Sequence, residues 1–461
     1  MTILTKIVSL IFSLAILKSV FFWVYLWQLK EYRLDRFWAE YGNLGKLLLF
    51  WLGSGGRRFH HPFFTLKAIS IFLASILIMG LLILKALPVP SFLWPLFYLL
   101  TPFAVLLLVL FFKIPTFFAK RILHFLGRRK ILRARELLVI GITGSYGKTS
   151  TKGFLYQVLA KKFNVAATPG HINTEAGIAK FILSKDFSEE GQIFIVEMGA
   201  YKRGEIRRIC ELVQPTIGIL TGINEQHLAL FGSVENIKKA KFELIKGLRP
   251  NGLAVFNGDN PHVRELAEAY KGKKIMYHVR GTLAGQLPPH YQLNLSAVSE
   301  VARYLGMSEG EIKEALKKII ADETMMKIFH GKGGALIIDD SYSSNPDGVF
   351  AALDYLASQT ERWKFLIMPS LIELGGSSKE IHQKIGRKIK DICEFAIITT
   401  PDSYEDIKRE AGEKTLLEQN PQEIARRVEP HLSSQSAILV EGRVSEEILE
   451  FLRQNSPLRR P

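Results

Sequence analysis

The chain has 461 residues and a net charge of +16, from 60 Lys and Arg against 44 Asp and Glu, which leaves room for a membrane segment plus two or three globular units. Much of the excess positive charge sits beside apolar segments, where it reports membrane topology, so no nucleic-acid partner is expected. Cys210 and Cys393 are the only cysteines, and their separation argues against a disulfide framework or a cysteine metal site and fits a reducing compartment.

Residues 3–26 are almost wholly apolar, with Lys6 near the start and Lys18 inside, and no small-residue cleavage site follows. This pattern predicts an uncleaved membrane anchor, with Lys18 snorkelling or facing another helix. Residues 68–87 and 92–112 are two further runs of about 20 residues, long enough to span a hydrocarbon core as helix, and Pro88 and Pro90 supply the turn between them. Residues 44–52 are apolar but too short to span, and are expected at the interface or packed on the helices. Residues 1–130 are therefore predicted to form a membrane segment of about three transmembrane helices with a basic juxtamembrane stretch. Cations crowd the loop 30–67, and Lys113, Lys120, Arg121, Arg128, Arg129, Lys130, Arg133 and Arg135 follow the third run with no acid among them. Both loops should be cytoplasmic and near anionic lipids, which makes the chain a multi-pass protein with its catalytic portion in the cytoplasm.

From Glu136 the texture changes to short β-branched runs at 137–142, 193–196, 216–220 and 254–257, alternating with helix-like stretches. The pattern predicts an α/β fold with a mostly parallel sheet. The first run leads directly into GITGSYGKTS, residues 141–150, and then into a helical stretch. In such a strand–loop–helix turn, glycines let backbone N–H groups converge on phosphate oxygens and the helix N-terminus adds a favourable dipole. Lys148 supplies a point charge, and Thr149 can place its hydroxyl on Mg²⁺. Gly144, Ser145, Tyr146, Gly147, Lys148, Thr149 and Ser150 are thus the candidate nucleotide loop. The strict P-loop spacing wants glycine where Ile142 stands, with Gly141 one residue further back; the alternative is an ordinary βα turn.

This loop resembles the ATP loop of the Mur ligases, which build the peptide stem of peptidoglycan. TPGHINT (168–174), IVEMGA (195–200), TGINEQH (221–227) with FGS (231–233), AKFE (240–243), NGDN (257–260) and DDSYSSNP (339–346) resemble further family segments in the family's order. DDSY and IELG (372–375) point toward the D-alanyl-D-alanine-adding branch, MurF. The resemblance covers roughly residues 137–450 and implies a central ATP-binding domain at 136–328 and a Rossmann-like C-terminal ligase domain at 329–461. The first 130 residues resemble nothing in the soluble MurF enzymes, which carry a UDP-holding domain there.

The resemblance further implies ATP-dependent amide-bond formation through an acyl phosphate, with Lys148, Glu197, His227 and Lys241 catalytic. Mg²⁺ ions would be held by Thr149, Glu197, His227 and Lys241, the last as a carboxylated lysine. Asn257, Asp259, Asp340, Tyr342 and Asn345 would join the ATP site, and Asn173, Thr174, His290 and Asn294 the substrate side. The expected partners are membrane lipids, a muramoyl-peptide or other carboxylate acceptor, UDP-linked or, given the anchor, lipid-linked, and an amino-acid or dipeptide amine. Taken without the family pattern, Glu197 is a strand-end carboxylate, His227 more often a structural histidine, Lys241 a helix-surface lysine, and residues 340–346 a bland turn. The chain departs from the family at Met325, Ser343, Pro289, Pro369 and Glu441, the last standing where the family carries lysine. These departures fall mainly where the ligase domains meet their substrates and leave the incoming amine open. A poly-γ-glutamate-synthase-like membrane ligase is the enzymatic rival. P-loop-driven transport or nucleotide sensing is the rival from another class, and the scarcity of buried acids in the apolar runs opposes a conduction path.

Overall fold

The computed structural model describes residues 3–41, 61–86, 94–134, 136–170, 172–187, 191–279, 281, 288, 291–320, 325–342, 344–361 and 363–453. Residues 44–52, His171, Pro289, His290 and Ser343 lie outside them. The chain divides into two compact units, Met1–Leu123 and His124–Pro461.

In the first unit, helices Ile3–Leu29, Leu66–Ala86 and Trp94–Phe111 pack on one another through Val20, Val24, Ile71, Val105 and Val109. Leucines such as Leu10, Leu14, Leu77 and Leu107 stay exposed on their outer faces. Among the described residues, two segments are long and apolar enough to cross a membrane, Leu10–Leu29 and one within Pro95–Arg133; Leu66–Leu82 is a shorter apolar helix. The third crossing expected from the sequence therefore rests on that shorter helix. A fourth helix, Lys113–Arg133, follows at once. In the second unit its last turns are anchored: Gly127 and Ile131 are buried, His124 Nδ1 lies 2.8 Å from Glu175, and Lys130 donates to the Leu183 carbonyl at 3.2 Å.

The second unit contains two six-stranded sheets. The first sheet is parallel throughout, with strands β1 (Leu138–Thr143), β2 (Val165–Ala167), β3 (Ile193–Glu197), β4 (Ile217–Leu220), β5 (Leu253–Asn257) and β6 (Lys274–Tyr277) in the order β2-β3-β1-β4-β5-β6. Its central strands are buried almost throughout and apolar up to the polar residues Thr143, Glu197 and Asn257 at their carboxyl ends. The helix Glu205–Val213 shows the matching amphipathic spacing, burying Ile206, Ile209, Cys210 and Val213. The second sheet comprises β7 (Lys327–His330), β8 (Leu336–Asp340), β9 (Trp363–Met368), β10 (Phe395–Ile398), β11 (Thr415–Leu417) and β12 (Ser436–Glu441), ordered β11-β10-β9-β12-β8-β7. Only the edge strand β7 runs antiparallel among these described strands. In the first sheet the order reverses at β1, so the crevice beyond the carboxyl ends of β1 and its neighbours is where such a sheet receives ligands. The expected runs at 137–142, 193–196, 216–220 and 254–257 correspond to β1, β3, β4 and β5 within a residue or two.

Candidate active site

β1 ends at Thr143, and the loop 144–147 turns directly into the helix Lys148–Leu159. Two glycines are obligatory for steric reasons. Gly144 (φ 156°) lies so close to β4's exit that a Cβ would sit 2.0 Å from Thr221 Oγ1, and Gly147 (φ 73°) would place one 2.8 Å from Asn294 Oδ1. The loop is pinned from behind: Ser145 N–H donates to the Gly222 carbonyl (2.7 Å), and Thr221 Oγ1 donates to the Tyr146 carbonyl (2.5 Å). Asn294, expected on the substrate side, therefore backs the phosphate turn.

Glu197, the last residue of β3, is almost fully buried and is the node of the site. Its Oε2 accepts from Thr149 Oγ1 and from Lys152 Nζ, each at 3.0 Å, and its Oε1 accepts from Asn173 Nδ2 at 3.0 Å. Burial alone would favour the neutral acid, but the ammonium groups of Lys152 and Lys148 and the Asn173 amide overcome it and hold the carboxyl below its ordinary range. Lys148 Nζ donates to the Ser145 carbonyl at 3.1 Å, and burial lowers its pKa against the attraction of Glu197.

Lys241 ends the helix Val234–Lys241 and is 2% exposed. No carboxylate lies within ion-pair distance of its ammonium among the described residues, and burial, with Lys148 nearby, lowers its pKa to about 7. His227 adopts a left-handed backbone (φ 65°) that aims its ring across the domain junction, where Nδ1 pairs with Glu373 of the second ligase domain. Burial keeps the imidazole below its ordinary pKa despite that carboxylate. Glu373 itself has φ 64°, so two side-chain-bearing residues accept a costly conformation to make one contact.

The adenine-side candidates form a second cluster. Asn257 at the end of β5 donates to the Thr221 carbonyl (2.5 Å) and accepts from Asp259 N–H (2.9 Å). Asp259 accepts from Val279 N–H (2.9 Å), and its Oδ1 lies 2.7 Å from His278 Nδ1. Thr174 caps the helix Glu175–Ser184 by accepting from Gly177 N–H at 3.4 Å, a structural duty beside the substrate role expected for it. Asn345 likewise caps the helix Pro346–Ala357, and Asn224 bridges the two ligase domains by donating to Asp347 Oδ2 (2.8 Å) and Asn345 Oδ1 (3.4 Å). Tyr342 lies half-buried between β8 and that helix.

Asp340 and Glu441 are register partners at the carboxyl ends of β8 and β12. Glu441 is fully buried, and neither of its oxygens meets a hydrogen-bond donor among the described residues. Burial raises both carboxyls, and repulsion adds to it, from Asp339 on Asp340 and from Asp340 on Glu441.

Mg²⁺ takes oxygen donors and leaves most positions to phosphate and water. A hydroxyl and an ionised carboxylate 3.0 Å apart beside a phosphate turn fit that demand at Thr149 and Glu197, although Lys152 holds the same carboxylate oxygen. No group of three His, Cys, Asp or Glu able to hold a metal occurs among the described residues. A second ion at Glu197 and His227 would need Lys241 in an anionic form.

Two family models match the chain consecutively: the Mur ligase middle domain over residues 142–316 and the Mur ligase glutamate ligase domain over residues 326–444. The chain belongs to the Mur ligase family. It is 30% identical over 271 residues to the UDP-N-acetylmuramoyl-tripeptide--D-alanyl-D-alanine ligase of Synechocystis and 27% identical over 276 residues to that of Bacillus subtilis. These alignments take in 55% and 54% of this chain but only 59% and 60% of those enzymes, so the chain spans about three-fifths of the length of the relatives it matches. Among solved structures it resembles MurF of Thermotoga maritima in complex with ADP, at a TM-score of 0.64 and 26% identity, over 72% of this chain and 83% of that one. MurF of Acinetobacter baumannii shares the fold at a TM-score of 0.64 and 24% identity, over 72% and 80%.

Three residues of this Mur ligase site escaped sequence reasoning. Lys152 lies four residues after Lys148, one helical turn on and hence on the same face, a spacing that signals a second cation at the phosphate turn. Asn224 and Glu373 sit inside segments already singled out, TGINEQH and IELG, but their contacts cross the domain junction and leave no trace in local pattern.

Proposed function

We propose that the protein is a membrane-anchored, ATP-dependent carbon–nitrogen ligase that activates a carboxylate as an acyl phosphate and transfers it to an amine. The observation that carries this reading is the convergence of Thr149, Lys152 and Asn173 on one buried, ionised Glu197 beside the Gly147–Lys148 turn. Such a site neutralises triphosphate charge, and bound Mg²⁺ would add to that neutralisation. Lys148 steadies the phosphates while a substrate carboxylate oxygen attacks the γ-phosphorus and ADP departs with the electrons of the broken P–O bond. The amine nitrogen then attacks the acyl carbon, phosphate leaves, and the nitrogen gives up a proton. Lys241, with its amine neutral over much of the physiological range, is suited to take up CO₂ as a carbamate. His227, fixed through Nδ1 by Glu373, would offer Nε2 to a metal ion there.

The likeness to UDP-N-acetylmuramoyl-tripeptide--D-alanyl-D-alanine ligases supports a muramoyl-peptide acceptor, UDP-linked or, given the apolar helices, lipid-linked, and D-alanyl-D-alanine or a similar amine. The helices of the first unit would hold the enzyme in a bacterial inner membrane, with the ligase domains in the cytoplasm. The buried acid Glu441, where the family carries lysine, favours a second reading with a different incoming amine, that of a poly-γ-glutamate-synthase-like ligase. Phosphate release from ATP decides between them. It is measured on the detergent-solubilised chain with UDP-linked or lipid-linked muramoyl-peptide plus D-alanyl-D-alanine, with Lys148→Ala as control. Release dependent on both substrates supports the first reading, whereas its absence with either acceptor moves the second reading ahead.

A further inference from the structure

At the end of the first sheet remote from the phosphate turn lies a cavity of 420 Å³ whose lining includes Arg128, Arg207, Lys246 and Arg249 against a single acid, Glu211. Topology separates it from the active site. The phosphate turn follows the carboxyl end of β1, whereas Arg249 N–H donates to the carbonyl of Pro215, which precedes the parallel strand β4. The volume falls in the range of about 300–1,000 Å³ typical of small-ligand pockets. One wall is rigid, because Gly247 approaches Cys210 so closely that a Cβ there would lie 2.5 Å from Cys210 Cβ.

The cations come from separate elements: Arg128 from the helix Lys113–Arg133, Arg207 from the helix Glu205–Val213, and Lys246 and Arg249 from the passage into β5. A helix carboxyl end attracts cations by itself, which accounts for one of them but not for the convergence. Glu211 offsets little, since its closest approach to Arg207 is 3.8 Å and both side chains are more than half exposed. Arg249 Nε is buried and meets no acceptor among the described residues, a donor left unsatisfied at a cost unless a ligand arrives. Guanidinium forks match phosphate oxygens in pairs.

We propose that this cavity binds a phosphate- or diphosphate-bearing ligand, separately from ATP. The phosphate has two sources, a soluble compound or a lipid headgroup. The helix that supplies Arg128 also exposes Phe125 in its preceding turn, an apolar neighbour suited to an acyl chain.

The test is a thermal shift of the full chain carrying Lys148→Ala, which weakens the ATP site, in a neutral detergent. Inorganic pyrophosphate is titrated in one arm and dihexanoyl-phosphatidylglycerol in the other, with dihexanoyl-phosphatidylcholine as the uncharged-headgroup control. A saturable rise in melting temperature is expected, and its midpoint concentration should increase about tenfold in Arg249→Gln, the loss of one charge-assisted hydrogen bond. Should Arg249→Gln fold poorly, the exposed positions Lys246→Gln and Arg128→Gln give the same readout. A response to pyrophosphate assigns the site to soluble phosphates, and one to phosphatidylglycerol alone assigns it to headgroups. No shift from either ligand, or a shift unchanged by all three substitutions, overturns the proposal.

Discussion

Replacing Lys152 by Met tests the electrostatic frame of the site. Lys152 and Glu197 form an ion pair at 3.0 Å with both side chains nearly fully buried. Removing one partner of such a pair generally costs 3–5 kcal/mol because the other charge is stranded. Asn173 and Thr149 still donate to Glu197 after the change, which places the expected loss near the lower bound, about 3 kcal/mol. For a cooperative unit as large as His124–Pro461 the loss corresponds to a fall in melting temperature of about 4 °C. The depressed Glu197 pKa sets the pH signature. Its stabilisation is present above the unfolded carboxylate pKa and lost as pH falls through the folded value, so the deficit of Lys152→Met should be full near neutrality and shrink in acid. Differential scanning fluorimetry in detergent between pH 4 and 8 measures it, and Mg²⁺ with ATP should restore part of the loss by supplying a new counter-charge. A variant as stable as the parent at pH 7, or one whose deficit does not shrink in acid, would refute the reasoning.

Lys148→Ala should reduce acceptor-dependent phosphate release at least about a hundredfold, the scale of losing one preorganised charge contact in a transition state, as a coupled phosphate assay would show. Lys241→Met should abolish turnover, and the parent should lose activity both in CO₂-depleted buffer and as pH drops below about 7, where the amine becomes protonated; activity indifferent to CO₂ would remove the carbamate. Glu441→Gln should leave nucleotide binding intact. Because the parent's carboxyl pair is raised by burial, the folded state holds a proton that the unfolded state releases, so the parent loses stability as pH rises above the ordinary carboxylate range and the variant loses less. Glu373→Gln should weaken turnover while ATP affinity holds, since Glu373 touches His227 across the junction and not the phosphate turn; equal losses in both would speak against a positioning role.

The phosphate turn with Lys148 and the strands β1, β3, β4 and β5 were legible in the linear pattern, whereas Glu197, His227 and Lys241 were singled out only by the family resemblance. Apolar strands buried on both faces, glycine-rich turns and a following helix are local features, encoded within a few residues of one another. The apolar helices of the first unit were equally visible, being long runs with few charges. The tertiary structure decided how these pieces meet. Lys152 and Asn173 reach Glu197 from elements 45 and 24 residues away, and the two raised carboxyls of Asp340 and Glu441 become neighbours because β12 pairs in register with β8 across about a hundred residues of chain. Asn294, expected beside the substrate, lies against Gly147, a contact that local pattern did not announce. Pairing, burial and a charge's neighbours are properties of space rather than of order along the chain. The sequence alone therefore determined which chemistry-bearing residues were available, and only the packing of the two sheets decided which of them are ionised, which are paired, and which face a ligand.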